Sequence, residues 1–363
     1  MMWPAFVAGY VTNYPGVPHA RVMVEGFLAS FVVGFLGTAL PRLLEVPRVT
    51  LWETLGFASA LIGVTALHAS GRTMWGDIMF FCVLGTMVLV LGVRFLLRKD
   101  TPPPAFVLVA MGLMCALGGS FALSLTSAAP GVIPPWVTPA AKLALYQGFL
   151  LLPVMGIGAF LLPRFFGLPN RQSFPESLAL PEGWGGRAAF ALCCGLAVLA
   201  SFALEVSGEA RSGYVVRTLA VIVYFFREVP VHRAGFGGGT LALGLRIALV
   251  SIPTGYICLA VFPERAFTFL HVVFITGFSL LTFIVASRVV LGHSGQSEKF
   301  RASLWPVLLM AALITLAMLT RVSADWMPRV TLSHYAYAAV VWAIGALVWA
   351  FAILPGVTRA DSE

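Results

Sequence analysis

Residues 269–296, FLHVVFITGFSLLTFIVASRVVLGHSGQ, form an apolar run with a histidine near each end. At a rise of about 1.5 Å per residue, the residues between the two histidines extend roughly 30 Å as a helix, which matches the hydrocarbon core of a bilayer. His271 and His293 therefore lie at opposite ends of one helix and cannot share a ligand. Arg288 lies inside the far end of the same run.

The composition of the whole chain agrees with this membrane helix. Hydrophobic residues make up 59% of the 363 residues and charged residues only 10%, whereas a soluble domain has about 25% charged residues. We predict an all-α polytopic membrane helix bundle of about eleven transmembrane helices, in a single integral membrane domain over residues 1–363. Residues 1–21 are expected to be an interfacial segment, and residues 355–363 a cytoplasmic tail. The predicted spans are 22–45, 51–70, 74–97, 103–125, 138–162, 186–205, 212–227, 239–262, 266–291, 303–322 and 331–354.

The net charge of +8 does not predict nucleic-acid binding, because the basic residues lie in short clusters between apolar runs. The loops after odd-numbered spans, together with the C-terminal tail, hold roughly twice as many Lys and Arg residues as the opposite side. Basic loops stay in the cytoplasm, so we expect a cytoplasmic C-terminus and a lipid bilayer as the main partner.

Two segments suggest an internal repeat. GFLGTALPRLLEVP at 34–47 and GIGAFLLPRFFGLP at 156–169 share Gly, Leu-Pro-Arg and a final Pro at the same spacing. A similar shift carries Arg164 to Arg288, which makes spans one, five and nine equivalent. Parallel four-helix repeats follow, with one helix missing at the N-terminus. Chance similarity between apolar segments is the alternative.

The repeat also aligns three polar side chains, because Glu25, Gln147 and His271 each precede a repeat arginine by the same interval. We interpret them as a polar layer in the outer half of the bundle. Separate helix-end contacts and snorkelling side chains are the alternative.

Histidines are the main candidates for chemistry. On the expected topology, four of the six lie toward the outer face: His19, His68, His271 and His334. Clustered neutral imidazoles are suitable ligands for haem iron or copper, although an interfacial histidine can also simply bond to loops and water. The chain has no CxxCH haem-attachment motif and no nucleotide-binding or hydrolase motif. No catalytic reaction follows, so its status as an enzyme stays open.

The late part of the chain resembles the NnrS family, polytopic bacterial membrane proteins linked to the nitric oxide response. The family signature has a histidine, a later glycine, Thr-Arg or Ser-Arg, and Leu-Gly-His-Thr/Ser-Gly. It matches without a gap at His271, Gly277, Ser287–Arg288 and Leu291–Gly295.

A second match lies near the N-terminus, where the family has His-Ala-His-Glu-Met, Gly-Phe and Leu-Thr-Ala-Val-Pro. Arg21 replaces the second histidine and Val22 the glutamate, and later in the chain Pro253 replaces a histidine before Gly-Tyr. The resemblance covers roughly residues 19–300. The matching positions are His19–Ala20, Met23, Gly26–Phe27 and Thr38–Pro41.

The resemblance implies a haem- and copper-containing protein of the bacterial inner membrane that supports tolerance of nitric oxide. His271 and His19 would then be haem or copper ligands, and His334 and His68 further candidates. Arg288 would fix a helix end or contact a haem propionate or lipid phosphate.

Two other classes stay open. Parallel repeats and charged residues within spans also suit a secondary transporter, including one without a redox cofactor. A redox enzyme of the haem-copper type is less favoured, because the chain has few histidines and no adjacent His-His pair.

Overall fold

The computed structural model describes residues 2–235 and 237–358, and the regular structure within them is helical. A short N-terminal helix precedes eleven long ones. The helices are α1 Met2–Val7, α2 Gly16–Leu43, α3 Leu51–Ala69, α4 Thr73–Leu96, α5 Phe106–Ala128, α6 Val137–Phe165, α7 Trp184–Val206, α8 Ala210–Glu228, α9 Gly239–Val261, α10 Pro263–His293, α11 Trp305–Ser323 and α12 Thr331–Ile353.

These long helices confirm the prediction of an all-α membrane bundle, and each coincides with a predicted span. Nine of those in the described part of the chain are long and apolar enough to cross a membrane. The other two, α3 and α8, have 19 residues each but are more polar. Their polar residues include His68 and Arg217, both fully buried inside the protein, so these two side chains face other helices.

The described residues form two compact units. One consists of α2 to α8, over Gly16–Arg164 and Leu168–Pro230, and the other contains α1 and α9 to α12 with residues 165–167. We call them the α2–α8 unit and the α9–α12 unit. The expectation of a single domain over residues 1–363 stays a prediction, and residues 359–363 of the expected tail lie outside the described part.

Three of the long helices contain a π-helical stretch, in which the hydrogen bonds are one residue longer than in an α-helix. The stretches are Val22–Leu28 in α2, Ala144–Gly148 in α6 and Val272–Ser279 in α10. These helices are spans one, five and nine, and each is followed by a packed helical hairpin: α3 and α4, α7 and α8, or α11 and α12. The recurrence supports the four-helix repeat.

The N-terminal segment begins with α1, which belongs to the α9–α12 unit. Pro4 lies in its first turn, where a missing amide hydrogen is tolerated. Trp3 is buried, with its ring centroid 5.0 Å from that of Tyr335 on α12 and 5.3 Å from that of Tyr14. This aromatic contact anchors the start of the chain.

Residues 168–183 form the longest segment without helix in the α2–α8 unit. Two side-chain amides hold this segment in place. Asn170 Nδ2 donates to the carbonyl of Phe160 at 2.9 Å. Gln172 accepts from the Ala105 amide at 3.0 Å and donates to Glu228 Oε2 at 2.7 Å. The segment is thus an irregular connection rather than a further span.

Candidate functional site

A polar cluster is built around the turn between α3 and α4, over residues 67–77, LHASGRTMWGD. Gly71 has a φ of +79°, which favours glycine, and the Arg72 amide donates to the carbonyl of Leu67 at 2.9 Å. This glycine-based helix ending reverses the chain tightly. His68 in the last turn of α3 and Asp77 in the second turn of α4 are thereby brought to the same end of the hairpin.

Glu25 in the π stretch of α2 completes the cluster, together with Arg21 one turn earlier. His68 Nε2 lies 3.0 Å from Glu25 Oε2. Arg21 Nη1 donates to Glu25 Oε1 at 3.1 Å, and Nη2 donates to Asp77 Oδ2 at 3.2 Å. All four side chains are at most 4% exposed. Glu25, one of the three residues predicted to form a polar layer, thus lies in a buried ionic cluster.

Three atoms of this cluster lack a hydrogen bond within the described part of the chain: Arg21 Nε, His68 Nδ1 and Asp77 Oδ1. Asp77 Oδ1 lies 3.1 Å from Arg21 Nε, within ion-pair range but without hydrogen-bond geometry. The possible metal-ligand atoms of Glu25, His68 and Asp77 all lie within 4.8 Å of one another. Among the described residues, no other three His, Cys, Asp or Glu side chains are this close together.

The hairpin of α7 and α8 repeats the same construction. Its turn, LEVSGEARSGY at 204–214, shares Leu, Ser and two glycines with residues 67–77 at identical spacing. Gly208 has a φ of +97°, and the Glu209 amide donates to the carbonyl of Leu204 at 2.9 Å. Glu205 and Tyr214 therefore occupy the positions of His68 and Asp77.

A second buried cluster surrounds this turn. Arg217 is fully buried and donates to Ser201 Oγ at 3.0 Å, Gln147 Oε1 at 2.7 Å and Glu205 Oε2 at 2.7 Å. Tyr214 Oη donates to Glu205 Oε1 at 3.3 Å. Gln147 lies in the π stretch of α6, as Glu25 lies in that of α2. In this cluster one carboxylate balances one guanidinium.

The α9–α12 unit has a third cluster, between α11 and α12. Asp325 Oδ1 accepts from Tyr335 Oη at 2.7 Å, and Asp325 Oδ2 accepts from Thr268 Oγ1. Arg321 Nη1 lies 3.5 Å from both carboxylate oxygens, and Arg265 donates to the Asp325 carbonyl at 2.8 Å. The helix containing the π stretch contributes Thr268 here.

The histidines predicted from the sequence have different surroundings. His271 is half-buried at the start of the π stretch of α10, and its Nδ1 lies 2.8 Å from the carbonyl of Phe267. His334 Nδ1 lies 3.1 Å from the carbonyl of Val330. A carbonyl only accepts hydrogen bonds, so in each neutral ring Nδ1 carries the proton and Nε2 the lone pair.

The remaining candidates are distributed over both units. His19 is half-buried on α2 in the α2–α8 unit. Arg288, on α10, lies over the rings of Phe165 and Phe300, at 4.2 and 4.3 Å from their centroids. His68 belongs to the ionic cluster and is fully buried, whereas His19 and His271 are half-buried.

Sequence reasoning did not single out Asp77 or Asp325, and it treated Arg217 only as one of the charged residues within spans. The pattern Leu-x-x-Ser-Gly-x-x-x-x-Gly, present at 67–76 and again at 204–213, could have identified two of the clusters. The pattern marks a tight turn between two helices, with one polar residue on each side of the turn, nine positions apart. A search for repeats among the loops detects this pattern.

The fold and these clusters define a polytopic α-helical membrane protein with polar groups buried inside its bundle. A comparison with curated proteins finds no match. The family model of the NnrS protein matches residues 1–360, essentially the whole chain. The chain therefore belongs to the NnrS family, which confirms the resemblance proposed from the sequence.

Proposed function

We propose that this protein supports tolerance of nitric oxide or related nitrosative stress through a haem or copper site near the outer face of a bacterial inner membrane. Membership of the NnrS family over residues 1–360 supports this function. The excess of basic residues in the loops after odd-numbered spans supports a cytoplasmic C-terminus, and in that orientation the start of α10 would lie on the outer side.

The ligands proposed for the metal are His271 and His19, with His334 as a further ligand. The observation that carries this assignment is the bond from His271 Nδ1 to the Phe267 carbonyl. Metal-ligating histidines commonly donate their second ring nitrogen to a carbonyl, which fixes the tautomer and orients the ring. His334 repeats the arrangement, so the donor chemistry of both residues fits a haem or copper. A haem iron or copper ion held there would supply a metal able to bind a small diatomic ligand.

Arg288 lies near the C-terminal end of α10, whereas His271 lies near its start. It follows His271 by about 25 Å along α10, too far to contact the propionate of a haem bound at His271. Its position between the rings of Phe165 and Phe300 supports the alternative role of fixing the helix end.

The test is the visible absorption spectrum and copper content of the purified full-length protein. We expect a Soret band that His271→Ala abolishes or shifts. The matched control is His293→Ala, at the other end of the same helix, which should leave the spectrum unchanged. A colourless protein without copper would refute the proposal and would favour the transporter alternative.

A further inference from the structure

The cluster at the turn between α3 and α4 differs from the other two in its charge. It contains two carboxylates, Glu25 and Asp77, against the single guanidinium of Arg21, whereas Glu205 is matched by Arg217 in the second cluster. Uncompensated charge is strongly unfavourable inside a membrane protein. The cluster at the turn between α3 and α4 therefore has one positive charge too few for its carboxylates, whereas the cluster around Arg217 is balanced.

We propose that Glu25, His68 and Asp77 form a binding site for one divalent transition-metal ion, separate from the haem or copper site at His271. Their ligand atoms lie within 4.8 Å of one another. In a tetrahedral site with bonds of about 2.1 Å, neighbouring ligand atoms are about 3.4 Å apart. Glu25 Oε2 and His68 Nε2 are 3.0 Å apart, and a side-chain movement of about 1.4 Å brings a pair at the 4.8 Å limit to the tetrahedral spacing.

The two buried carboxylates of the cluster favour a cation as the missing ligand. Asp77 Oδ1 accepts no hydrogen bond within the described residues, and its ion pair with Arg21 Nε, at 3.1 Å, lacks hydrogen-bond geometry, although Asp77 is only 1% exposed. One imidazole nitrogen with two carboxylate oxygens suits Zn²⁺, Mn²⁺ or Fe²⁺. Mg²⁺ and Ca²⁺ prefer sites made of oxygen ligands alone.

Arg21 is the positioning residue of this site. It bonds to Glu25 Oε1 and Asp77 Oδ2, and thereby leaves Glu25 Oε2 directed to the imidazole. Hydrogen bonds to ligating carboxylates of this kind typically change metal affinity by about 10–100-fold when they are removed. Its guanidinium also stacks 5.3 Å from the ring of Tyr146, which holds it beside the carboxylates.

Metal binding is measured on the chelator-treated full-length protein in detergent, by equilibrium dialysis with Zn²⁺ and elemental analysis. We expect one tightly bound ion per chain that excess Mg²⁺ does not displace. His68→Ala and Asp77→Asn should each weaken binding by about 100-fold or more, and Arg21→Gln by about 10–100-fold. The matched control is Glu205→Gln, at the position equivalent to His68, which should bind as the unaltered chain does.

A second measurement tests the proposal on the unaltered protein, in case a variant fails to fold. Mn²⁺ bound to the unaltered protein should show nitrogen coupling from one imidazole by pulsed EPR, and His68→Gln should remove it. Absence of stoichiometric Zn²⁺ binding, or coupling that persists in His68→Gln, would overturn the proposal. His271→Ala should retain this ion while losing any Soret band, so the two proposed sites fail separately.

Discussion

Gly76 on α4 lies against the imidazole of His68, and its replacement by alanine tests whether that packing supports the ionic cluster. An added Cβ would lie 2.4 Å from His68 Cε1 and 2.6 Å from both ring nitrogens. These distances are far inside van der Waals contact, so the imidazole must move. Overpacking of this kind destabilises by about 1–3 kcal/mol, and loss of the buried bond from His68 to Glu25 adds about 1–3 kcal/mol.

Alanine also has a higher helix propensity than glycine, which offsets about 1 kcal/mol. The net expectation for Gly76→Ala is a destabilisation of about 1–5 kcal/mol. Gly85 on the same helix is the matched control, because an added Cβ there meets no atom within 4 Å. Gly85→Ala should be neutral or slightly stabilising.

The assay is reversible unfolding in mixed micelles, followed by circular dichroism, on both variants and the unaltered protein. If Gly76→Ala unfolds at the same denaturant concentration as Gly85→Ala, His68 is not held as described and the reasoning fails. Gly213→Ala gives an independent repeat, because its Cβ would lie 2.6 Å from the carbonyl oxygen of Ser201.

Three further substitutions test other contacts by the same unfolding assay. Arg217→Met should destabilise by about 3 kcal/mol or more, because it leaves Glu205 without its buried partner; stability equal to that of the unaltered protein would contradict the structure. Trp349→Phe removes the indole hydrogen bond to Ser287 Oγ, which is 2.9 Å long, and should lower the free energy of unfolding by about 1 kcal/mol. If the two residues act as a pair, adding Ser287→Ala should lower it little further. Trp3→Ala should weaken the docking of α1 by roughly 3 kcal/mol. Hydrogen exchange of residues 2–7 should then become faster, and unchanged protection of these residues would refute the prediction.

Much of the fold follows from the sequence because lipid leaves few choices. Backbone groups in the hydrocarbon core must bond within their own segment, so each long apolar run has to be a helix. The runs predicted at 22–45 and 266–291 accordingly match α2 and α10. The period that aligned Glu25 with Gln147 also relates the π stretches that contain them, although the sequence did not predict those stretches.

The partners of individual polar side chains were less predictable. Membrane helices close in space are joined by loops of variable length, so sequence distance alone does not bring Asp77 to Arg21 across 56 residues. Lys142 illustrates the same limit, because it stands near Gln147 in an apolar span yet is exposed. Whether His271 and His19 bind a common metal depends on such distant contacts and stays a prediction.

The π stretch at Val22–Leu28 has a consequence for altering the length of the chain. A π stretch holds one residue more than an α-helix over nearly the same total rotation, so the helical segments before and after it keep their alignment. Deleting one residue within the stretch would convert it to an ordinary helix and change the direction of Glu25, which lies inside it, while His19 and Arg21 keep theirs. The position of the Glu25 carboxylate beside His68 thus depends on one surplus residue, and a single deletion there should disrupt the ionic cluster although no contacting side chain is replaced.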